Sequence, residues 1–325
     1  MVGEFDIIRQ CFAPLASSDA ALGLSDDAAL IMPPAGLALV ATADAMISGV
    51  HFLPDDPPET VGRKLLRVNL SDLAAMGAAP LGYLLTCAWP KDWDQDWIAA
   101  FARGLGEDQE RFGISLLGGD TTSGPGPLCL SLTALGSVAP DQVLKRSSAS
   151  AGERILVSGT LGDGAFGLLV RYGRLGGLSD ATLEALTQAY RLPTPRLQLG
   201  RALAQDGLAA ACLDISDGLV ADLGHICEAS GLGARIHAES IPLSPAVQEA
   251  VAMDLESFPL ALTGGDDYEL CFTVAADQVG RVKALSQTLG LPLTEIGEMV
   301  QGEGVAVLDR DGAVLALDHP GWTHF

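Results

Sequence analysis

The sequence predicts a two-domain α/β protein. Apolar, strand-like runs such as GLALVATAD and GYLLTCAW alternate with helical patterns such as ETVGRKLLRVNLSDLAAMG, as expected for strands interleaved with helices. The 325 residues suffice for two domains, since a domain takes about 150 residues. Residues 140–152 are small and polar, and a new strand-like run, RILVSG, follows them. We therefore predict domains at residues 1–148 and 149–325.

The composition limits the partners of the chain. It carries a net charge of −22 with only 19 Lys and Arg, which disfavours nucleic acids and anionic membranes. The early acids of the N-terminus and the lack of a long apolar run predict neither a signal peptide nor a membrane span. Scattered cysteines without CxxC pairs are typical of a cytoplasmic protein. An enzyme of this charge that acts on phosphates would need divalent metal as a source of positive charge.

One predicted helix carries a carboxylate on its apolar side. Over residues 59–77, helical spacing places four residues on one face: Leu65, Asn69, Asp72 and Met76. A buried carboxylate is costly unless it is paired. Asp72 therefore needs a partner, either a metal or a structural salt bridge or cap.

Further acids follow apolar strands. In ISLLGGDTTSG a strand is predicted to end at two glycines before Asp120, a common ligand position in α/β folds, although a plain turn explains it equally well. Asp214 ends the apolar run AAACL, and Ser216 and Asp217 precede the next helix. A helix N-terminus there favours phosphate, with ordinary capping as the alternative.

Two more segments point to a metal site. Asp26 and Asp27 lie in a polar gap, and Asp44 follows a strand-like run. Carboxylates and hydroxyls without a Cys or His cluster suit Mg²⁺ rather than zinc.

Two features leave the choice open. Asp266, Asp267 and Glu269 in LTGGDDYEL follow two glycines and precede an apolar strand, and a hairpin with solvated acids is the alternative to a site. His51 is a lone histidine among apolar residues, and such a histidine is more often part of a core.

Gly-rich motifs give little support to other nucleotide folds. No GxxxxGK[ST] is present, which argues against a P-loop. Residues 162–167 match GxGxxG after RILVSG, but the chain does not begin with the βαβ unit of a dinucleotide fold. A Gly-rich turn between strand and helix, or a loop near the substrate, is the simpler interpretation.

Together these segments carry a resemblance that covers nearly the whole chain. NLSDLAAMGAAP, GVHF, LGGDTT, SGTLGDGAFG, DISDGL, GGDDYEL and the closing GWTHF resemble the thiamine-monophosphate kinase family. That family belongs to the ATP-binding superfamily of aminoimidazole ribonucleotide synthetase and selenophosphate synthetase. DISDGL is shared widely in the superfamily, whereas GVHF with a closing GWxHF is particular to the kinases.

The resemblance implies an N-terminal domain that closes a β-barrel with its twin in a homodimer, and a larger α/β C-terminal domain. It implies ATP bound between the domains through several Mg²⁺ ions, phosphorylation of thiamine monophosphate to thiamine diphosphate, and no covalent catalytic residue. The implied metal ligands are Asp27, Thr42, Asp44, Asp72, Asp120, Asp214 and Asp217. The implied ATP contacts are Gly119, Asp120, Arg146 and Ser216. The implied contacts to thiamine phosphate are His51, Asp266 and Trp322.

Three positions depart from the family pattern. Ser25 replaces a glycine, Ala43 replaces a hydroxyl residue, and Asp266 stands where the family has glutamate. They put single contacts in doubt rather than the resemblance. Two other functions remain open: another ATP-dependent synthetase of the superfamily, and a non-catalytic acidic metal-binding protein.

Overall fold

The computed structural model describes residues 4–91 and 93–322. The chain packs as two compact units, Met1–Leu73 with Ala78–Asp141, and Ala74–Gly77 with Gln142–Phe325. Both contain a sheet and helices, which confirms the predicted α/β class. The boundary between residues 148 and 149 stays a prediction.

The first unit is built on a four-stranded sheet with the order β1-β4-β2-β3. β2 and β3 are parallel, and the other two pairs are antiparallel. The strands are β1 Ala38–Ile47, β2 Ala79–Pro90, β3 Leu116–Gly124 and β4 Cys129–Val138. The helices up to β4 are α1 Glu4–Ile7, α2 Pro58–Ala75 and α3 Gln95–Phe112.

Helix α2 ends within two residues of its predicted end, and it packs closely on α3. A side chain at Gly104 would overlap the carbonyl of Glu59, so glycine permits this approach. Asp108 of α3 is buried and receives both Arg67 Nε (2.5 Å) and an Arg67 terminal nitrogen (3.0 Å). Removing one partner of such a buried pair costs about 3–5 kcal/mol, so this contact fixes α2 and the polar residues it carries.

The predicted end of the strand before Asp120 is wrong. β3 does not stop at Gly118 and Gly119 but continues to Gly124. Its parallel pairing with β2 runs through the glycines, with Thr86 opposite Asp120 and Pro90 opposite Gly124. The ladder therefore outweighs the low strand preference of the two glycines, and Asp120 lies within an edge strand.

The second unit contains a six-stranded sheet with the order β10-β7-β9-β5-β8-β6. β10 and β7 pair in parallel, whereas the other four pairs of neighbouring strands described in this sheet are antiparallel. The strands are β5 Arg154–Ser158, β6 Ala211–Asp214, β7 Gly233–His237, β8 Leu270–Val274, β9 Leu293–Val300 and β10 Gly304–Leu308. The helices are α4 Asp163–Arg171, α5 Asp180–Arg191, α6 Leu197–Gln205, α7 Leu219–Ser230, α8 Pro245–Met253, α9 Leu260–Thr263 and α10 Val279–Leu289.

The main core of this unit lies between the sheet and α7. The predicted stripe of Leu219, Leu223 and Ile226 is buried there against strand residues such as Ile155 and Leu213. Burial of a side chain of this size contributes about 1.5–3 kcal/mol. In neither unit does a described helix have the length and apolarity needed to cross a membrane.

Candidate active site

Helix α2 and strand β1 bring polar groups together in the first unit. Thr42 and Asp44 alternate with exposed Ala43 on β1, so they share one face of the sheet. The Thr42 hydroxyl donates to Asp72 Oδ2 at 2.5 Å, and the Asp44 N–H donates to Asn69 Oδ1 at 3.2 Å. The helical face predicted from spacing is therefore confirmed, and Asp72 contacts Thr42, another of the implied metal ligands.

The donors at this contact fit a magnesium ion chemically. Thr42, Asp44 and Asp72 offer only oxygen, the ligand that Mg²⁺ prefers. Within residues 4–91 and 93–322, however, no three acidic, histidine or cysteine side chains form a group that could hold a metal. The implied ligands are divided between the units, with Asp27, Thr42, Asp44, Asp72 and Asp120 in the first and Asp214 and Asp217 in the second. The seven-residue set stays a prediction.

Two implied ligands of the first unit lie outside α2 and β1. Asp27 is exposed in an irregular segment before β1. Asp120 lies on β3, whereas Asp44 lies on β1, and these are the two edges of the sheet. Three strand spacings separate them, roughly 14 Å along the sheet. Gly119 is also exposed, and a side chain there would overlap the carbonyl of Leu85.

His51 occupies a turn that fixes its imidazole. Its Nδ1 accepts the Ile47 N–H at 3.1 Å, and its carbonyl accepts Lys64 Nζ at 3.3 Å. Because Nδ1 is an acceptor, the neutral ring carries its proton on Nε2, which is then a hydrogen-bond donor. The residue is half-buried, and both roles, core histidine and substrate contact, stay predictions.

In the second unit, the turn between β6 and α7 is organised by one carboxylate. Buried Asp222 accepts the N–H groups of Ser216 (3.0 Å), Asp217 (2.9 Å) and Gly218 (3.1 Å), all on Oδ2. Asp214 ends β6 as predicted. Ser216 and Asp217 do not cap α7, whose N-cap is Gly218 without a side-chain bond. Their amides are also occupied by Asp222, so a phosphate here would not bind to these two backbone groups.

The carbonyls of the same turn meet two other implied site residues. The Asp266 N–H donates to the Ser216 carbonyl at 2.9 Å, and the Trp322 N–H donates to the Asp217 carbonyl at 3.0 Å. The ring of Trp322 is 59% exposed; Thr323, His324 and Phe325 of the closing motif lie outside the described residues. Asp266 has a positive φ of 72°, a conformation that aspartate tolerates better than most residues.

The Gly-rich turn before α4 is filled by a carboxylate of the protein itself. Asp267 accepts the N–H groups of Gly162 (2.8 Å) and Gly164 (3.1 Å). Burial raises the pKa of Asp267, although these bonds act to lower it. The interpretation as a turn between strand and helix is thus confirmed, and the amides that a dinucleotide phosphate would need are already bonded.

The remaining acid of GGDDYEL is also internal. Glu269 is buried, pairs with Arg196, and accepts the Ser158 hydroxyl at 2.5 Å. A hairpin of solvated acids is therefore wrong for this segment. Arg146, implied as an ATP contact, is exposed. Its carbonyl accepts the hydroxyl of Ser230, the last residue of α7, at 3.0 Å.

Asp222 and Asp267 are the organising residues that sequence reasoning missed. Each reads in the sequence as an ordinary acid, one in the first turn of a helix and one in a run of two aspartates. The available signal is the glycine-containing turn close to each of them, because closely spaced backbone amides need an acceptor when they are buried.

The charge of Asp222 is expected to make stability depend on pH. Burial raises the pKa of its carboxyl to about 6 from the ordinary 3.8, despite three N–H donors. Because the folded-state pKa of Asp222 is raised, protonation of this carboxyl stabilises the fold. The stabilisation is complete below the unfolded-state pKa and is lost as pH rises through about 6. In EDTA, we expect Asp222→Asn to exceed the wild type in free energy of unfolding by up to about 3 kcal/mol at pH 7. Urea titrations should show that this difference disappears near pH 4; a difference independent of pH would contradict the argument.

Comparison with known proteins identifies the family of the chain. Family models of the N-terminal and C-terminal domains of AIR synthase related proteins match residues 25–138 and 150–310. Thiamine-monophosphate kinase of Caulobacter vibrioides is 43% identical, over 99% of this chain and 90% of its own length. The crystal structure of thiamine-monophosphate kinase from Stenotrophomonas maltophilia K279a has a TM-score of 0.84 at 45% identity, covering 93% of this chain and 94% of the other.

A third relative was solved with ligands. AaThiL complexed with AMPPCP and TMP has a TM-score of 0.79 at 31% identity and covers all of this chain and 97% of its own. The domain matches and the full-length relatives agree with the motifs and with the fold. The chain therefore belongs to the AIR synthase related family of proteins, within its thiamine-monophosphate kinase members.

Proposed function

We propose that this enzyme transfers the γ-phosphoryl group of ATP directly to thiamine monophosphate and so forms thiamine diphosphate, the last step of its biosynthesis. The observation that carries the proposal lies in the β6–α7 turn. Backbone bonds there join Ser216 and Asp217, implied for ATP and metal, to Asp266 and Trp322, implied for thiamine phosphate. Phosphoryl transfer needs donor and acceptor side by side more than covalent chemistry. The relative solved with AMPPCP, an ATP analogue, and TMP supports the same pair of substrates.

The chain's own groups account for binding and orientation. Gly119, Asp120, Arg146 and Ser216 contact ATP in this proposal. Within hydrogen-bond reach of a phosphate, His51 Nε2–H donates one bond. Trp322 supplies an exposed ring for the cationic thiazolium, a contact worth about 1–2 kcal/mol when desolvated.

The acceptor needs no general base. A phosphate monoester loses its second proton near pH 6, so its terminal oxygen is already ionised at neutral pH and can attack the γ-phosphorus in line. The oxygen donors Thr42, Asp44 and Asp72 would hold magnesium, together with Asp27, Asp120, Asp214 and Asp217. When bound, magnesium supplies neutralisation of the charge on the ATP phosphates. A chain with a net charge of −22 otherwise repels those phosphates.

The proposed function is tested by ³¹P NMR of the purified protein with ATP, Mg²⁺ and thiamine monophosphate. We expect a new β-phosphorus doublet from thiamine diphosphate that grows in step with ADP, without free phosphate. Release of free phosphate would reject the kinase and indicate another ATP-dependent synthetase of the superfamily. An unchanged spectrum, with metal binding retained, would leave a non-catalytic metal-binding protein.

We also propose a homodimer, supported by the outer face of the four-stranded sheet. Strand pairing aligns twelve uncharged residues on β1, β4 and β2: Leu39, Ala41, Ala43, Ala45, Cys129, Ser131, Thr133, Leu135, Gly82, Leu84, Thr86 and Ala88. Leu39 and Leu84 are 48% and 37% exposed in the single chain. An uncharged exposed face on so acidic a protein is typical of an interface.

The sheet edges support the same assembly. β1 and β3 are both edge strands, and unpaired edges are usually covered or closed. A second copy with its β3 beside β1 would close a barrel and place another Asp120 next to this edge strand.

Leu84→Glu is expected to convert the dimer into a monomer of 33.6 kDa, because it buries a charge in the proposed interface. Light scattering coupled to size-exclusion chromatography measures the mass. The matched control is Val314→Glu, at an apolar residue of the second unit that is 67% exposed, and it should leave the dimer intact. A monomeric wild type, or a dimeric Leu84→Glu variant, would contradict the assembly.

We place the enzyme in the cytoplasm. All six cysteines are free, and all but Cys129 are buried, as is common in a reducing compartment.

A further inference from the structure

The β6–α7 turn is held from two sides. On one side, the single oxygen Oδ2 of Asp222 receives the amides of three consecutive residues, 216–218. On the other, the carbonyls of Ser216 and Asp217 receive the amides of Asp266 and Trp322. Both peptide planes that flank the Asp217 side chain are therefore fixed, and the direction of that side chain depends on Asp222.

Neighbouring contacts leave this turn little room to adjust. A side chain at Gly265 would overlap the Ser216 carbonyl, and one at Gly218 would lie 2.7 Å from the Thr263 carbonyl carbon. On the strand side, the Ile215 N–H donates to the Glu269 carbonyl at 2.8 Å. Loss of the Asp222 acceptor would thus leave three amides, one buried and two partly buried, without this partner in a turn that has little room to adjust.

Helix stability does not explain the carboxylate. A serine, threonine or asparagine at the N-cap would satisfy helix amides without a buried charge, yet the N-cap is Gly218. The carboxylate instead gathers the amides of three consecutive turn residues on one oxygen. Its role is therefore better explained by the geometry that it imposes on the turn.

We propose that Asp222 is a positioning residue for phosphoryl transfer, whose Oδ2 sets the turn that aims Ser216 at ATP and Asp217 at the metal. The inference rests on the proposed function of these two residues. Asp222 itself touches neither the nucleotide nor the reacting atoms. What matters is an acceptor at the place of Oδ2, and the negative charge is secondary.

Two substitutions separate geometry from charge. Asp222→Asn removes the charge but keeps an acceptor oxygen at the same distance from the backbone. Asp222→Glu keeps the charge and moves the acceptor by one methylene. We expect the Asn variant to stay within about 5-fold of wild-type kcat/KM for ATP, and the Glu variant to lose roughly 10²-fold, the scale of a misplaced catalytic constellation. The opposite order would overturn the positioning role in favour of a purely electrostatic one.

The matched control is Glu249→Asp, which moves a carboxylate by one methylene in another helix of the same unit. Glu249 accepts the Ser179 N–H at 3.0 Å and the Thr182 hydroxyl, and no implied site residue belongs to these helices. The control should keep wild-type kcat and KM. If Asp222→Glu and Glu249→Asp change only the melting temperature, by similar amounts, then Asp222 is a structural cap and the inference fails.

A binding measurement keeps the two proposals distinguishable. The rise in melting temperature on adding Mg²⁺ and the non-hydrolysable analogue AMPPCP is recorded for each variant, independently of turnover. We expect this rise to be retained in Asp222→Asn and lost in Asp222→Glu. A wild type that binds Mg·AMPPCP but forms no thiamine diphosphate would reject the kinase proposal while this readout still decides the role of Asp222. Equal rises in melting temperature in both variants would overturn the positioning role of Asp222.

Discussion

Asp72→Asn is expected to lower kcat by roughly 10³-fold, the scale on which charge stabilisation at a reacting phosphate acts. The amide keeps the shape of the side chain and can still accept the Thr42 hydroxyl, which donates to Asp72 Oδ2 at 2.5 Å. It removes the negative charge that the oxygen-donor group offers to a metal. The free energy of unfolding should therefore change by less than about 1 kcal/mol, while turnover falls.

Initial rates of ADP formation across a range of Mg²⁺ concentrations measure this effect. Loss of a metal ligand should also raise the Mg²⁺ concentration needed for half-maximal rate. Asp96→Asn is the control, because Asp96 is exposed on α3, in the same unit, and its substitution should leave both quantities unchanged. If Asp72→Asn retained turnover within a few-fold at saturating Mg²⁺, Asp72 would not be a metal ligand.

Gly164→Ala is expected to raise the KM for thiamine monophosphate by roughly 10²-fold, on the scale of a 1 Å displacement at an active site. The added methyl group would overlap the carbonyl of Asp266 and lie 2.8 Å from its Cβ. Asp266 cannot withdraw easily, since its amide is bonded to Ser216. The strain should also cost about 1–3 kcal/mol of unfolding free energy.

Steady-state kinetics with each substrate varied in turn test this prediction, and the KM for ATP should change less than that for thiamine monophosphate. Gly224→Ala is the control, because a methyl group at this position of α7 meets no atom within 4 Å. It should leave kinetics unchanged and raise stability by up to about 1 kcal/mol. An unaltered KM for thiamine monophosphate in a folded Gly164→Ala variant would remove Asp266 from the substrate site.

Local periodicity was sufficient for the elements that carry the site. The 3.6-residue period of α2 placed Asn69 and Asp72 on one face, and both meet β1 there. In the same way, the apolar run before Asp214 predicts β6, and the stripe of Leu219, Leu223 and Ile226 predicts the buried face of α7. In these segments the chain's own spacing decides which side chain is buried, so no knowledge of distant residues is needed.

Features that depend on distant pairing were beyond such reasoning. Two glycines before Asp120 read as the end of a strand, but hydrogen bonds to β2 carry β3 past them. The sheet order, which separates Asp44 from Asp120, cannot be read from spacing at all. Asp267 and its neighbour Asp266 look alike in the sequence, and only the Gly-rich turn that packs on them shows which one is an internal acceptor.

The occupied turns of the second unit also bear on inhibition by small anions. In many proteins a glycine-containing turn at a helix start binds free phosphate or sulfate. Here the side chains of Asp222 and Asp267 already accept those amides, so a dissolved inorganic anion would have to displace an acceptor that belongs to the chain. Side chains and bound cations then select between the nucleotide and small anions, and they favour a polyphosphate over a monovalent anion. The enzyme should thus tolerate the salts and orthophosphate of its surroundings without losing access to its nucleotide.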